Sequence, residues 1–219
     1  MHIAFYPNLA YKAAITFGKR INGCFSRLLV RLRPLICPFE DLLEEVPSDI
    51  EVLDVGCGSG FWLYLIWMYK NPRSLTGIDP SRAKISAAKN AFSSISTPST
   101  FFTESDPDLW PHNKYGMVSM IDVLHHISPN SQEQFFRSAA SQVGNGGILL
   151  YKDMCCRPHW KAAFNQLHDL IFAHQWIYHV DIKKVESWAH DEGFVLQKKA
   201  DRTLYFYGHE FRCFSKPIK

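Results

Sequence analysis

Between residues 51 and 61 the chain reads Glu51-Val52-Leu53-Asp54-Val55-Gly56-Cys57-Gly58-Ser59-Gly60-Phe61. An apolar run of strand type ends in three alternate glycines, and a helix-forming run, Phe61–Lys70, follows at once before Asn71-Pro72 stops it. Glycine loses more conformational freedom on folding than any other residue, so three together need a reason. One reason is a sharp turn whose backbone comes close to a ligand, with the free N–H groups of the next helix favouring a negative group. A tight strand-to-helix connection that binds nothing is the plainer reading of the turn alone. Either reading fixes a strand–turn–helix unit, which in turn demands a crossover to a parallel neighbour.

The downstream sequence repeats that alternation. Leu75–Asp79 reads as a strand, Ser81–Phe92 as a helix starting at or near Ser81, and Thr100–Glu104 as a weak third strand. Gly116–Asp122 is a strong fourth strand, Ser131–Val143 a helix closed by Gly144, and Gly147–Lys152 a fifth strand. Strands alternating with helices of this length predict an α/β fold with a parallel sheet. The tail differs: helices are expected over His159–Ala173 and Asp181–Glu192, followed by two strand-like runs, Phe194–Thr203 and Leu204–Phe214, with no helix between them. Those two runs predict an antiparallel hairpin at the C-terminal end of the sheet.

At 219 residues, 47% apolar and 21% charged, the chain suits one ordinary domain and is too apolar for intrinsic disorder. An aromatic share of 14% suggests a ring-lined cavity as well as a core. The net charge is +3 but unevenly placed: Lys12, Lys19, Arg20, Arg27, Arg31 and Arg33 precede the first acid, Glu40. Between them Ile15, Ile21, Phe25, Leu28, Leu29, Leu32 and Leu35 recur at three- and four-residue steps, an amphipathic helix that Pro34 should end or bend. Residues 1–46 are therefore expected to form a basic helical cap and 47–219 a single globular domain. The cap's charges suit an acidic carrier protein or an anionic membrane surface; the plainer reading is a solvated helix face. Six cysteines show no CxxC spacing, and Cys155-Cys156 is a vicinal pair, which fits a reduced, cytoplasmic compartment and no metal site. The longest apolar run, Phe61–Tyr69, is too short to span a membrane, and no signal-peptide pattern opens the sequence.

The spacing narrows the ligand. A dinucleotide turn reads G-x-G-x-x-G, whereas this one reads G-x-G-x-G with Phe61 where the third glycine would fall. Asp54, two residues before Gly56, would repel a pyrophosphate and suits an ammonium. Asp79 closes the second strand, where an acid accepts hydrogen bonds from two ribose hydroxyls, unless it caps the following helix.

Five stretches together carry a resemblance: EVLDVGCGSG, GIDPS, FFTESDPDLWP, MVSMIDVLHHI and GNGGILLYKDM. The chain resembles the class I S-adenosylmethionine-dependent methyltransferases. The resemblance implies a Rossmann-like, seven-stranded, mostly parallel sheet with the antiparallel C-terminal hairpin and the N-terminal helical cap. It implies S-adenosyl-L-methionine as cofactor, with Asp54, Gly56, Gly58 and Gly60 around the methionine part, Asp79 at the ribose and Asp106 at the adenine. Cys57, Pro80 and Asp122 fall on the cofactor side of the same motifs. Pro107 departs from the family's usual run after the third strand.

His125, His126 and Asp153 are the candidate catalytic residues, because an imidazole titrates near neutrality and all three sit at strand ends on the ligand side. The competing readings are a histidine packed under the sheet and Asp153 as a helix cap before Pro158. Residues 157–180, with an apolar stripe of Trp160, Phe164, Leu167 and Ile171 beside Asn165, His168, Asp169 and Phe172, are expected to cover the acceptor pocket. The function expected is methyl transfer to a small aromatic, lipid-like or carrier-bound acceptor. Residues 152–180 resemble methyltransferases of fatty-acid-like or aryl-polyene pathways, which implies the carrier-bound case. The fourth strand carries no N-P-P-Y tetrapeptide, so nucleic acid is not expected as a substrate. Two other readings stand beside this one: a catalytically silent adenosylmethionine-binding module and a nicotinamide-dependent oxidoreductase.

Overall fold

In a computed structural model the described residues are 9–155, 178–204 and 207–218. Seven strands form one sheet: β1 (Glu51–Val55), β2 (Ser74–Asp79), β3 (Ser99–Thr103), β4 (Tyr115–Ile121), β5 (Val143–Met154), β6 (Val195–Leu204) and β7 (Tyr207–Ser215). Their order is β3-β2-β1-β4-β5-β7-β6. The first five run parallel, and β7 lies antiparallel to both β5 and β6. The order reverses between β1 and β4, and in open α/β sheets the crevice at such a reversal is where ligands bind.

The helices are α1 (Leu9–Gly18), α2 (Cys24–Ile36), α3 (Phe39–Glu44), α4 (Phe61–Lys70), α5 (Arg82–Phe92), α6 (Gln132–Ser141) and α7 (Ile182–Asp191). Phe61 to Ile66 of α4 are six consecutive buried residues. A helix apolar all round needs cover on both sides, here the sheet below and the cap above. Phe17 of α1 meets Phe61 and Tyr64 at ring separations of 5.6 and 5.0 Å. Phe39 of α3 meets Phe61 edge-on at 5.3 Å and stacks on Trp62 at 6.0 Å. On the opposite face of the sheet Phe136 of α6 and Val185 and Ala189 of α7 bury Leu53, Val118 and Leu149. Each fully buried side chain of this size contributes roughly 1.5–3 kcal/mol.

The structure departs from the sequence reading in the N-terminal stripe and around β5. The N-terminal apolar stripe is two helices, broken at Lys19–Gly23, where Gly23 takes a φ of 90° and Ile21 turns into the core. Pro34 lies inside α2, which runs on to Ile36. Leu28, Leu29, Leu32 and Leu35 are exposed, and α2 buries Val30 and Pro34 instead. Near the middle of the chain α6 stops at Ser141, and Val143 already belongs to β5. β5 also runs past Lys152 to Met154, so Asp153 is a strand residue. The expected helix His159–Ala173, and the 157–180 cover apart from Tyr178, His179 and Val180, lie outside the described residues.

Candidate functional site

Gly56, Gly58 and Gly60 take φ values of 77°, 56° and 86°. They play different parts. A Cβ on Gly56 would stand 2.5 Å from Cγ2 of Val123, so this glycine lets β4's exit loop close on the turn. A Cβ on Gly58 would meet nothing within 4 Å, so the turn is open there. The Gly58 N–H donates to Oδ2 of Asp79 at 3.0 Å, and the Ser81 N–H donates to Oδ1 at 2.8 Å. Asp79 therefore ties the glycine turn to the β2–α5 loop. It does not cap α5: the Ser81 hydroxyl does, accepting from the Lys84 N–H at 3.4 Å. A carboxylate has about four acceptor sites, so two remain for a ligand.

Asp54 is 3% exposed, on the α4 side of the sheet. It accepts a hydrogen bond from Ser119 Oγ at 2.6 Å, and Ser119 Oγ accepts from Trp62 Nε1 at 3.1 Å. Burial pushes the Asp54 carboxyl up to about 7, against the pull of Ser119 and of Arg33. Neighbouring Cys57 is buried and its thiol is driven well above its ordinary value by that burial. A thiol held protonated lines the turn and does no chemistry. Pro80 is exposed. Asp106 is exposed after β3 and accepts from the Asp108 N–H at 3.0 Å, opening the short turn Pro107–Leu109.

At the carboxyl ends of β4 and β5 two polar groups form, one on each face of the sheet. Asp122 has a φ of 58° and pairs with Lys152 and, at 3.3 Å, with Arg33 of α2. Burial raises the Asp122 carboxyl, but Lys152 and Arg33 outweigh it and hold the group well below the carboxylate range. Lys152 is 1% exposed and stays charged: burial lowers it, and Asp122 more than restores it. Cys37 packs beside this pair, its thiol raised by burial to about 11. His209 of β7 stands opposite Met154 and is 2% exposed, and among the described residues neither ring nitrogen has a hydrogen-bond partner. Burial and Lys152 lower it to about 3, so it is neutral.

On the other face Asp153 Oδ1 bonds Nδ1 of His125, and Oδ2 accepts from the His125 N–H at 3.3 Å. The Tyr151 hydroxyl and the Met154 N–H complete the carboxylate's partners, at 3.4 and 2.7 Å. Asp153 is thus an orienting partner of His125. Gln132 Nε2 donates to the carbonyls of Leu124, Ile127 and Tyr178, and the Tyr178 N–H donates to the His125 carbonyl at 2.7 Å. These bonds hold the 124–127 turn. His126 reaches solvent, with its ring 4.0 Å from that of His125; the protein around it and then His125 lower it to about 4. Asp122, His125 and Asp153 also place ligand atoms within 4.8 Å of one another, a set able to hold a metal ion that sequence spacing did not reveal. The Lys152 ammonium already neutralises Asp122 there.

The fold therefore gathers Asp54, Gly56, Gly58, Gly60, Asp79, Asp122, His125 and Asp153 at the strand ends beside the β1/β4 reversal. Sequence reasoning did not find Ser119, Lys152, Arg33 or His209. Lys152 carried the one usable signal: a lysine in the middle of an apolar strand pattern, which folding tolerates only when paired.

This arrangement defines a Rossmann-like domain of the type that binds an adenosyl ligand over a glycine turn. Residues 31–199 match the family described as "Methyltransferase domain", and the chain belongs to that family, whose cofactor is S-adenosyl-L-methionine. The chain is 23% identical over 147 residues to carboxy-S-adenosyl-L-methionine synthase of Campylobacter fetus, a match covering 65% of this chain and 62% of that protein. Magnesium protoporphyrin IX methyltransferase of Synechocystis PCC 6803, with SAH bound, superposes with a TM-score of 0.66 at 17% identity, over 94% of this chain and 93% of that one. An S-adenosylmethionine-dependent methyltransferase of Methanosarcina mazei superposes at 0.65 and 20% identity, over 80% and 96%. The residues fit the cofactor: open space above Gly58, a buried acid at Asp54 for an ammonium, and two acceptor sites left on Asp79.

Proposed function

We propose that the chain transfers a methyl group from S-adenosyl-L-methionine to an oxygen of a small aromatic, lipid-like or carrier-bound acceptor. The observation that carries the oxygen is the His125–Asp153 pair. Methyl transfer from a sulfonium needs little activation of the leaving group, so an enzyme gains mostly by positioning and by excluding water. A hydroxyl acceptor must also lose its proton, and a positioned imidazole supplies that for about 10²–10⁴-fold in rate.

The bound sulfonium supplies an electrophilic methyl group; the protein does the rest. In this reading Asp79 accepts from the ribose hydroxyls, Asp54 faces the ammonium, the Gly58 backbone admits the ligand, and Asp106 lies beside the adenine. Asp153 holds Nδ1 of His125 as a donor, and the His125 imidazole is the group assigned to take the acceptor's proton. The test is a screen of phenols, hydroxy and free fatty acids, and carrier-bound acyl chains with methyl-labelled cofactor. Label in an ether, formed at a hydroxyl and dependent on His125, supports the reading. Label only on nitrogen or carbon, or turnover indifferent to His125, overturns it.

A further inference from the structure

We propose that the outer face of α2 is a docking surface for an anionic lipid bilayer. Leu28, Leu32 and Leu35 lie on one line of the helix, with Leu29 beside them, and their exposures are 51%, 44%, 37% and 42%. A surface helix ordinarily turns such a stripe inward. Here the inward face is Val30 and Pro34, with Arg33 reaching to Asp122. Arg27 and Arg31 are exposed and flank the leucines, each one residue before a leucine of the ridge.

Charge complementarity selects the occupant. Residues 9–39 hold six basic side chains and no acid, whereas residues 40–219 hold 18 basic and 21 acidic ones, a net of −3. Of these six, Arg20 turns to Ala91 and Ser94 and Arg33 to Asp122, and Arg27 and Arg31 are the cations beside the exposed leucines. An apolar ridge edged by arginine is the pattern of a helix lying in the headgroup region, its apolar face sunk by roughly 5–10 Å. A convex ridge on one helix also suits a fluid apolar layer better than the rigid pocket of a protein partner. Among the described residues no helix is long and apolar enough to cross a membrane, so α2 would lie on the surface. Because Arg33 joins α2 to Asp122, docking would bring the ends of β4 and β5 close to the bilayer. The surface stands whether or not the acceptor is a lipid.

The experiment is co-sedimentation of the full chain with phosphatidylcholine vesicles, with and without phosphatidylserine, at low and high salt. Wild-type protein should bind the anionic vesicles at low salt, and much less with neutral lipid or raised salt. Each basic residue near such a surface contributes about fivefold, so Arg27→Glu with Arg31→Glu should weaken binding at least about twentyfold. Leu28→Ser with Leu32→Ser should weaken it comparably. Both variants should keep native circular dichroism and wild-type cofactor affinity, which separates this test from that of the proposed chemistry. The proposal falls if wild-type protein ignores anionic vesicles at low salt, or if both folded variants bind undiminished. It falls equally if wild-type protein is a dimer by sedimentation and Leu28→Ser with Leu32→Ser makes it a monomer.

Discussion

Nδ1 of His125 is bonded to Oδ1 of Asp153, joining the turn after β4 to the last strand residues of β5. The two are 28 residues apart in sequence and share a buried contact. Asp153 fixes one imidazole nitrogen as a donor and stabilises the ring's positive charge when it takes a proton. His125→Ala should therefore cut methyl transfer to an oxygen acceptor by about 10²–10⁴-fold, with cofactor affinity nearly unchanged. Asp153→Asn should lower the rate too, but by less than His125→Ala does, since it removes the orienting partner and leaves the imidazole. His126→Ala should cost less than tenfold. Single-turnover rates across pH, with calorimetric cofactor affinities, check all three. Equal small losses at both histidines would assign them to packing.

Asp54 should make cofactor binding pH-dependent. Its carboxyl is raised from 3.8 to about 7 in the folded protein by burial. Between those values the native state binds more protons than the unfolded one, so stability of the cofactor-free protein falls as pH rises through about 4 to 7. The slope from this one group is at most about 1.4 kcal/mol per pH unit. A cation beside Asp54 favours the charged form. Cofactor affinity should accordingly rise from pH 5 to pH 7, with a proton released on binding. Calorimetry in buffers of different ionisation enthalpy measures that proton, and Asp54→Asn should abolish it.

Asp79→Ala should weaken cofactor binding by about tenfold or more, since hydrogen bonds to a charged acceptor contribute roughly 1.5–3 kcal/mol each. It also strips acceptors from the Gly58 and Ser81 N–H groups. Asp79→Asn keeps one acceptor oxygen and should fall between wild type and Ala. Unchanged calorimetric affinity in a folded Asp79→Ala protein would remove this residue from the site.

Lys152 and Asp122 give a stability prediction. Removing one partner of a buried ion pair leaves an uncompensated charge and costs about 3–5 kcal/mol. Lys152→Met should lower the urea midpoint by less than that equivalent, because Asp122 keeps Arg33 at 3.3 Å, and Asp122→Asn on the Lys152→Met background should restore much of the loss. Additive losses in the double variant would show that the pair is not coupled.

What the sequence made legible was local. The glycine turn, the strands and the place of Asp79 follow from contiguous residues, so propensity and periodicity reach them. Pairings across the sheet are not local: Ser119 meets Asp54 over 65 residues, and His209 reaches the β5 end only through its register with Met154. The orientation of α2 was also beyond reach. Its stripe told that the helix is two-faced but not which face the core takes, and the Arg33–Asp122 bond with the burial of Pro34 settles that in three dimensions.

Gly56 and Gly58 look alike in sequence and should behave differently. Both have positive φ, so an L side chain costs roughly 1–2 kcal/mol in backbone strain at either. At Gly56 the new Cβ also stands 2.5 Å from Val123 Cγ2, a contact neither loop can accept without moving. Gly56→Ala should lose stability and cofactor binding together, and Val123→Ala should recover part of the stability. At Gly58 the Cβ meets no protein atom within 4 Å, so Gly58→Ala pays only the strain and stays folded. Its methyl would point into the space assigned to the cofactor, and Gly58→Val should fill more of it. Thermal unfolding and cofactor titration of the two variants separate the effects. A folded Gly58→Val protein that binds cofactor with wild-type affinity would mean that the turn's open side does not face the ligand.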